Sequence, residues 1–281
     1  MNLEQLKSKA QRLLELHQGP RILLLANAWD VASARIVEQL GFPAVATTSA
    51  GVANALGYPD GQRIPREEML EAVRRIAAAV SLPVTADVEA GYGDTPEDAA
   101  RTAQLVLESG AVGINLEDSS YDGKEILVPV SIHVDKVRAI RSAVDAVGIP
   151  LVINARTDVF LRKAGEPGER LALAISRANA YREAGADCLF VPGVADRATI
   201  TALVHGIKGP INILAGPSTP PAGELEKLGV RRVSLGSGPM RAAMDTFRRV
   251  AAELLADGSY EVLKQASITY DEMNNILRAK A

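Results

Sequence analysis

A (β/α)8 barrel of the TIM type, which is an α/β fold, is the architecture that the sequence predicts from three observations. Eight short apolar runs alternate with eight longer amphipathic stretches. The runs are apolar throughout, as in parallel strands that helices cover on both faces. Polar residues follow the runs, whereas mostly proline, glycine or apolar residues precede them, as expected of a barrel with its site at the carboxyl ends of the strands. A doubly wound open sheet is the alternative.

The strands and helices of this prediction follow one another in regular order. The strands are predicted at residues 22–25, 44–47, 83–86, 112–116, 151–153, 188–191, 211–214 and 232–235. The helices are predicted at residues 30–40, 66–80, 95–109, 132–147, 168–184, 195–205, 222–228 and 238–256. Several end at a glycine, such as Gly41 and Gly185, because glycine readily adopts the left-handed conformation that terminates a helix. Thr95 and Pro96 mark a helix start, since threonine caps the first turn and proline suits its first position.

Two segments lie outside the eight units. An amphipathic helix is predicted at residues 3–16, within an N-terminal segment of residues 1–18. A helical tail is predicted from about residue 258 to residue 281, with a helix at residues 270–280. Because no low-complexity linker divides the chain, the prediction is a single barrel domain over residues 1–281.

Composition excludes several classes of function. The formal net charge is −3 and no basic stripe is visible, which argues against a nucleic-acid partner. No apolar run reaches the roughly 18 residues of a membrane span, and no signal peptide is recognisable. The single cysteine, Cys188, lies in a predicted strand and is interpreted as a buried core residue rather than a nucleophile. These features predict a cytoplasmic protein, and no acyl-serine, nucleotide-loop or zinc-finger motif is present.

Acidic residues gather at two consecutive strand ends. Asp87 and Glu89 follow the run at residues 82–86, and their side chains are able to point the same way because they are two residues apart. Glu117 ends the next run. A hard divalent cation relieves the repulsion among such charges, so the pattern predicts Mg²⁺ held directly or through water. Asp60 joins the water shell of the metal or is only a turn residue, and helix caps or solvated acids are the alternative for the whole set.

Two further strand ends carry groups that suit an anion. The turn Thr48-Ser49-Ala50-Gly51 offers hydroxyl groups and closely spaced N–H groups, which suit a carboxylate or a phosphate. Arg156 follows an apolar run at the same end of the barrel, where its planar guanidinium group fits a carboxylate. A salt bridge to Asp158 or to a neighbouring acid is the alternative role of Arg156.

In this order the residues resemble those of the isocitrate lyase/phosphoenolpyruvate mutase superfamily. The resemblance extends from residues 27–30 to about residue 247. It rests on the acid pair before Gly91-Tyr92-Gly93, on Glu117-Asp118 and on Asn154-Ala155-Arg156-Thr157-Asp158. The resemblance implies a (β/α)8 barrel whose last helix is swapped with a partner subunit, in a homodimer or homotetramer. The unassigned C-terminal helices would suit such an exchange.

The resemblance also implies a site and a chemistry. Mg²⁺, for which Mn²⁺ is a substitute, would be held by Asp87, Glu89 and Glu117, with Asp60 nearby. A small 2-oxo acid would bind the ion and the turn, and an enolate would form and be stabilised by Arg156. The catalytic residues implied are Glu117 and Arg156, and Tyr121, in the loop after Glu117, is a further catalytic candidate. The substrate-binding residues implied are Trp29, Thr48, Ser49, Ala50, Gly51, Asn154, Arg156, Gly193 and Gly216.

The loop after Glu117 departs from that family. It reads Ser-Ser-Tyr-Asp-Gly-Lys-Glu at residues 119–125, without the Lys-Arg-Cys-Gly-His pattern of the C–C lyases or the Lys-x-Asn-Ser pattern of the phosphomutases. Decarboxylation, with oxaloacetate as leading substrate, fits best because carbon dioxide leaves without a protein acid. One alternative is a C–C lyase of the isocitrate or methylisocitrate type that uses Tyr121 or Lys124 as its acid. The others are a P–C bond hydrolase or mutase and a non-catalytic 2-oxo acid binding protein.

Overall fold

The strands of the barrel lie where the apolar runs predict them. The computed structural model describes residues 2–121, 123, 125–265 and 268–278. In that part of the chain nine strands form one sheet, in the order β1-β9-β8-β7-β6-β5-β4-β3-β2. They are β1 (Leu23–Leu25), β2 (Asn27–Ala28), β3 (Val45–Thr47), β4 (Val84–Asp87), β5 (Gly113–Glu117), β6 (Val152–Arg156), β7 (Cys188–Phe190), β8 (Ile211–Leu214) and β9 (Arg232–Ser234).

The predicted first strand, residues 22–25, forms β1, and an additional short strand, β2, follows it; together they join the two edges of the sheet. β1 pairs in parallel with β9, with Leu24 beside Val233. β2 follows after a single residue and pairs in parallel with β3 on the other side, with Asn27 beside Ala46. The chain itself therefore bridges the two edges. The structure is a nearly closed parallel barrel, which confirms the predicted fold class over the open sheet.

Helices alternate with the strands, and their boundaries lie within two residues of the predicted ones. The short helix at Ser49–Ala55 is new, because its first residues were predicted as a turn. The predicted end of the last helix at residue 280 lies outside the described residues. Over the described ranges the helices are α1 (Leu3–Gln18), α2 (Val31–Gln39), α3 (Ser49–Ala55), α4 (Arg66–Ala79), α5 (Pro96–Glu108), α6 (Val130–Ala146), α7 (Arg170–Glu183), α8 (Arg197–Gly206), α9 (Ala222–Leu228), α10 (Gly238–Asp257) and α11 (Tyr270–Arg278), with a 3-10 helix at Glu261–Gln265.

The N-terminal helix α1 covers the amino-terminal end of the barrel. Leu13 packs against Gly113, the first residue of β5, where a Cβ atom would lie only 2.8 Å from the leucine side chain. His17 Nε2 lies 3.2 Å from Nη1 of Arg232, the first residue of β9. Because α1 covers this end, the carboxyl ends of the strands form the open mouth, where barrel enzymes carry their sites.

The two C-terminal helices make unequal contact with the barrel. Among the residues of α10, only Met240 is buried. The helix ends at Asp257, before Gly258 with φ 73°, close to the predicted start of the tail. α11 returns to α2, where Arg35 Nε donates to the carbonyl oxygen of Ile276 at 3.0 Å. None of the helices within the described ranges is long and apolar enough to cross a lipid bilayer.

Candidate active site at the mouth of the barrel

A cavity of about 260 Å³ opens at the carboxyl ends of the strands. It lies below the range of about 300–1,000 Å³ that is usual for pockets that bind drug-sized molecules, which indicates a small ligand. Polar and charged side chains from several strand ends meet in it. Its walls are formed by Asn27, Thr48, Ser49, Ala50, Asp60, Asp87, Asn115, Arg156, Leu161, Phe190, Pro192, Leu214, Ser234, Gly236, Ser237 and Arg241.

Asp87 is the last residue of β4. One of its carboxylate oxygens accepts hydrogen bonds, and the other accepts none from the described residues. Its Oδ2 accepts hydrogen bonds from the Ser49 backbone N–H at 3.0 Å and from Ser49 Oγ at 2.8 Å. Its own N–H donates to Thr47 Oγ1 at 2.9 Å. Its Oδ1 is buried and accepts no hydrogen bond from any described residue. Buried carboxylate oxygens are ordinarily bonded, so this atom marks a place for a ligand, a water or a cation.

Glu89 is buried next to Asp87 in a strained backbone conformation. Its φ is 51°, a left-handed value that non-glycine residues adopt mainly where the surroundings impose it. The Gln62 backbone N–H donates to its carboxylate, and the Tyr92 hydroxyl group donates at 3.5 Å. Burial, with the negative charges of Asp87 and Asp60, raises the pKa of Glu89 to about 7. Glu89 is therefore a group that takes up or releases a proton near neutral pH.

Glu117 and Arg156 form a buried ion pair on neighbouring strands. β5 and β6 place the two residues side by side, and Arg156 Nη1 lies 2.7 Å from Glu117 Oε2. The Tyr121 hydroxyl group donates to the other Glu117 oxygen. Burial raises the pKa of Glu117, and the positive charge of Arg156 opposes that shift. Arg156 also donates to Asp158 through Nε at 2.6 Å and through Nη2 at 2.9 Å.

Asp118 has a structural role although it follows Glu117 directly. Its Oδ2 accepts from Arg177 Nε at 2.7 Å and from the Tyr181 hydroxyl group at 2.7 Å. Its Oδ1 accepts from the backbone N–H of Asp158 at 2.8 Å. These donors fix the start of the loop after β5, and they leave Asp118 engaged with the protein rather than with the cavity.

The acidic residues fit Mg²⁺ through water better than through direct bonds alone. Across the described residues, no three His, Cys, Asp or Glu side chains converge closely enough to form a metal site by themselves. Both carboxylate oxygens of Glu117 accept bonds from protein donors. The unbonded Oδ1 of Asp87 fits one direct ligand position. Mg²⁺ ordinarily keeps several waters and binds one or two carboxylates plus the substrate, so Glu89, Glu117 and Asp60 would act through water.

Four of the predicted substrate-binding residues, Thr48, Ser49, Ala50 and Arg156, line the cavity. Ser49 directs its N–H and hydroxyl groups to Asp87, so the turn also positions that carboxylate. Thr48 caps α3, and its Oγ1 accepts from the N–H of Gly51 at 3.4 Å. Gly51 and Trp29 lie behind the wall, packed against one another, and Trp29 packs on an apolar cluster of Val52, Ala53, Ile64 and Met69.

The remaining predicted residues lie away from the cavity surface. Asn154 is in the barrel interior, where its Nδ2 donates to Asn115 Oδ1 at 2.8 Å. Gly193 has φ 88°, and a Cβ atom there would come within 2.7 Å of the Leu161 backbone nitrogen. Gly216 lines a separate apolar groove on the outside of β1 and β9. Lys124, the alternative acid, lies outside the described residues.

Cys188 is buried in β7, which agrees with its interpretation as a core residue. Burial raises the pKa of its thiol group to about 12. A thiol that is enclosed and protonated at neutral pH is a poor replacement for the loop cysteine of the C–C lyases.

Two arginines near the cavity escaped the sequence-based prediction. Arg232 is fully buried beneath the site, where its Nη2 donates to Asn115 Oδ1 at 3.1 Å. Arg241, in the first turns of α10, lines the cavity from the side of β9. Its place shortly after the end of β9 at Ser234 is the sequence signal that would have found it. Arg232 had no such signal, because the sequence does not show that a charged residue at the start of a strand is buried.

Replacing Glu89 with glutamine is expected to flatten the pH dependence of stability in metal-free protein. The folded protein holds the Glu89 proton up to about pH 7, whereas the ordinary pKa is 4.5, so the folded state binds more protons between these values. The wild-type free energy of unfolding should therefore fall as pH rises from 4.5 to 7, by up to about 1.4 kcal/mol per pH unit for this group. Urea unfolding at several pH values in the presence of a chelator measures the slope.

The exposed Glu183 provides the matched control for this prediction. Glu183→Gln should keep the wild-type slope. Equal slopes in Glu89→Gln and the wild-type protein would contradict the assignment of this proton to Glu89.

Comparison with known proteins places these observations in a family. The family profile described as phosphoenolpyruvate phosphomutase matches residues 13–255. An uncharacterized protein of Mycobacterium tuberculosis (strain ATCC 25618 / H37Rv) is 36% identical over 245 residues, which cover 87% of this chain and 88% of the relative. The oxaloacetate decarboxylase of Rhodopseudomonas palustris (strain BisB18) is 33% identical over 88% of this chain and 86% of its own length. The 2-methylisocitrate lyase of Bacillus subtilis (strain 168) is 30% identical over 89% and 83%, respectively.

Solved structures agree with this placement. A proposed lyase/mutase from Burkholderia cenocepacia J2315 superimposes with a TM-score of 0.91 and 34% identity, covering 98% of both chains. A phosphonopyruvate hydrolase, crystallised with oxalate and Mg²⁺, superimposes with a TM-score of 0.83 and 25% identity, covering 95% of this chain and 94% of the hydrolase.

Proposed function

The chain belongs to the phosphoenolpyruvate mutase/isocitrate lyase superfamily, and from this premise we propose that it is a Mg²⁺-dependent lyase that decarboxylates a small 2-oxo acid, with oxaloacetate as the leading candidate. The relatives at about 30% identity include both oxaloacetate decarboxylases and 2-methylisocitrate lyases. Family membership therefore supports an enzyme that acts on small acids. The choice among the possible reactions rests on the residues of the cavity.

The proposal rests on one observation: an unbonded carboxylate oxygen of Asp87 and the side chain of Arg156 line the same small cavity, and no thiol group lines it. Bound Mg²⁺ would supply a Lewis acid for the keto oxygen of the substrate. Asp87 would hold the ion, and Ser49 keeps the Asp87 carboxylate oriented by two hydrogen bonds. Cys188, the one thiol of the chain, is enclosed in the barrel wall and does not line the cavity.

Decarboxylation of oxaloacetate needs few protein groups. The C3–C4 bond breaks, carbon dioxide leaves, and the bonding electrons move to the C2 oxygen to give the enolate of pyruvate. The Arg156 guanidinium group lies on the cavity wall, where it stabilises this charge as it develops. A proton then adds to C3 to give pyruvate, and the Tyr121 hydroxyl group beside Glu117 or a water supplies it. The carboxylate leaves as neutral carbon dioxide and its charge passes to the enolate, so the leaving group needs no acid.

A C–C lyase of the methylisocitrate type is the second candidate, favoured by the position of Tyr121. Such a reaction needs an acid for its second product. The Tyr121 hydroxyl group is held against Glu117, where it would act as that acid, although burial and the charge of Glu117 raise the pKa of Tyr121. The buried position of Cys188 argues against the thiol-dependent form of this reaction.

Incubation with oxaloacetate and Mg²⁺, followed by enzymatic assay of pyruvate and carbon dioxide, tests the leading candidate. Free Mg²⁺ decarboxylates oxaloacetate slowly by itself, so heat-inactivated protein in the same buffer sets the background. Methylisocitrate and phosphonopyruvate are run in parallel, with products identified by mass. Turnover of oxaloacetate above background supports the proposal, whereas cleavage of methylisocitrate alone favours the second candidate. Tight binding of 2-oxo acids without any turnover would identify a binding protein.

The surface of α10 supports self-association, which we include in the proposal. Phe247 is 68% exposed and Leu255 is 90% exposed on this helix. A separate apolar groove of about 330 Å³ lies over β1 and β9, and Phe42, Leu225 and Leu235 line it. In a (β/α)8 barrel a helix normally covers each strand, and α10 leaves this groove open within its own chain. In this proposal helix α10 of a second copy occupies the groove, which would give the swapped homodimer or homotetramer that the family resemblance implies.

Replacing Phe247 with glutamate is expected to convert such an oligomer to monomers. The change removes burial of a phenylalanine side chain, about 1.5–3 kcal/mol, twice in a two-fold interface. The dissociation constant should therefore rise roughly 100-fold or more, as measured by light scattering after size-exclusion chromatography. Thr246→Glu adds the same charge at the neighbouring exposed position and should leave the oligomer intact. A monomeric wild-type protein would rule out the swap.

A further inference from the structure

The two arginines that line the cavity differ in how many protein groups their side chains bind. Arg156 donates to Glu117 and twice to Asp158, and its guanidinium group lies 5.7 Å from the centre of the Phe190 ring. Most of its hydrogen-bonding capacity is thereby directed to the protein's own carboxylates. It stabilises charge near the acidic cluster, and it has little capacity left to clamp a second carboxylate.

Arg241 has the opposite character. Its side chain is exposed and makes no ion pair or hydrogen bond with another residue in the described part of the chain. The acid one helical turn later, Asp245, already pairs with Arg248 and Arg249. The backbone N–H of Arg241 donates to the Ser237 carbonyl oxygen at 3.0 Å. A guanidinium group facing a cavity without a protein partner is available to an anionic ligand.

The order of the strands places Arg241 across the cavity from the acidic cluster. Asp87, Glu117 and Arg156 end β4, β5 and β6, which are neighbours in the sheet. Arg241 follows β9, which lies opposite β5 in the ring of strands. A ligand with its 2-oxo acid end at Asp87 would therefore have Arg241 on the opposite wall of the cavity.

We propose that Arg241 binds the second carboxylate of the substrate and thereby selects 2-oxo dicarboxylates over 2-oxo monocarboxylates. The inference deepens the proposed function and rests on it for the position of the 2-oxo acid end. A planar guanidinium group matches a carboxylate in two parallel hydrogen bonds. A 2-oxo monocarboxylate with a methyl group in place of the second carboxylate would leave Arg241 without a partner. The difference in binding free energy between the two ligands is the source of the selectivity.

The test compares two unreactive ligands that share one end. (S)-Malate and (S)-lactate carry the same 2-hydroxy acid group, and only malate carries a second carboxylate. Dissociation constants are measured calorimetrically with Mg²⁺ present. The wild-type protein should bind malate about 10-fold more tightly than lactate, because a charge-assisted hydrogen bond contributes that much or more. Arg241→Gln should abolish this preference and leave lactate binding within twofold of the wild-type value.

Controls separate recognition from loss of structure. Arg241→Lys retains the charge without the planar group and should keep part of the malate preference. Arg249→Gln alters an exposed arginine on the same helix, away from the cavity, and should keep all of it. Circular dichroism confirms that each variant is folded. A wild-type protein without a malate preference, or an Arg241→Gln variant that loses lactate and malate binding equally, overturns the proposal.

Kinetics with oxaloacetate provide an independent readout. The carboxylate that Arg241 would bind is the group that leaves as carbon dioxide, so its charge diminishes in the transition state. The interaction is then stronger in the ground state, and its removal raises KM without lowering kcat. A variant with lowered kcat and unchanged KM contradicts this role. If the protein fails to decarboxylate oxaloacetate but keeps the malate preference, the proposed reaction fails while the carboxylate site stands.

Discussion

Replacing Asp87 with asparagine is expected to reduce kcat/KM for the 2-oxo acid substrate at least about 100-fold. Even residues that only support metal ligands contribute about 10- to 100-fold to affinity or activity, and Asp87 has the unbonded oxygen that fits a direct ligand. Asparagine keeps the size of the side chain and an acceptor oxygen for Ser49, so the loss reflects the missing charge. Steady-state kinetics and Mg²⁺ titration calorimetry on the same preparation measure both effects.

Asp196 offers a matched control for the Asp87 variant. Its carboxylate caps α8 by accepting from the Thr199 N–H at 2.8 Å, far from the cavity. Asparagine caps helices about as well as aspartate, so Asp196→Asn should retain full activity and Mg²⁺ affinity. Full turnover by Asp87→Asn, or turnover that survives complete chelation of divalent cations, would eliminate the metal-dependent reaction.

Replacing Arg156 with methionine is expected to abolish activity and to lower the free energy of unfolding by about 3–5 kcal/mol. Glu117 and Asp158 are buried and share this one guanidinium group, so its removal leaves two uncompensated charges in the barrel. The deficit should shrink at acidic pH, because protonation of the carboxyl groups removes the uncompensated charge. Urea denaturation at neutral and acidic pH measures both the size and the direction of this effect.

A variant of Arg138 is the control that distinguishes the loss of a buried ion pair from the loss of an exposed one. Its ion pair with Asp135 is exposed on α6, with side chains 64% and 52% accessible. Arg138→Met should therefore change stability by less than about 0.5 kcal/mol. An Arg156→Met variant as stable as Arg138→Met would mean that the buried carboxyl groups are neutral in the folded protein.

Local patterns were sufficient for most of the fold. Helix boundaries such as Ala222–Leu228 follow from hydrophobic periodicity and from a glycine stop at Gly229, both of which are properties of neighbouring residues. The additional strand β2 after Ala26 did not follow, because it depends on pairing with β3, on the side of the chain opposite to β9. Helix α3 was missed for a similar reason, since its first turn is stabilised by contact with Asp87.

The sequence was sufficient to predict which residues belong to the candidate site, but not which contacts those residues make. Asp87 and Arg156 follow apolar runs, so their place at the mouth of a barrel could be read from the chain. The sequence allowed a salt bridge from Arg156 to Asp158 or to a neighbouring acid, but it could not identify Glu117 as a partner, because that pairing depends on the register of β5 against β6. Nor could it predict the raised pKa of Glu89, since burial and the charges of residues from two other segments produce it.

The sequence by itself determined the barrel, the acidic strand ends and the absence of a loop cysteine, because each is a matter of residue order and spacing. Only the tertiary structure decided that one oxygen of Asp87 is left unbonded, that Arg156 is already occupied and that Arg241 faces them across the cavity. The physical reason is that hydrogen bonding and desolvation depend on distances between atoms. Those distances are set only when the ring of strands brings residues more than 150 positions apart to one mouth, as with Asp87 and Arg241.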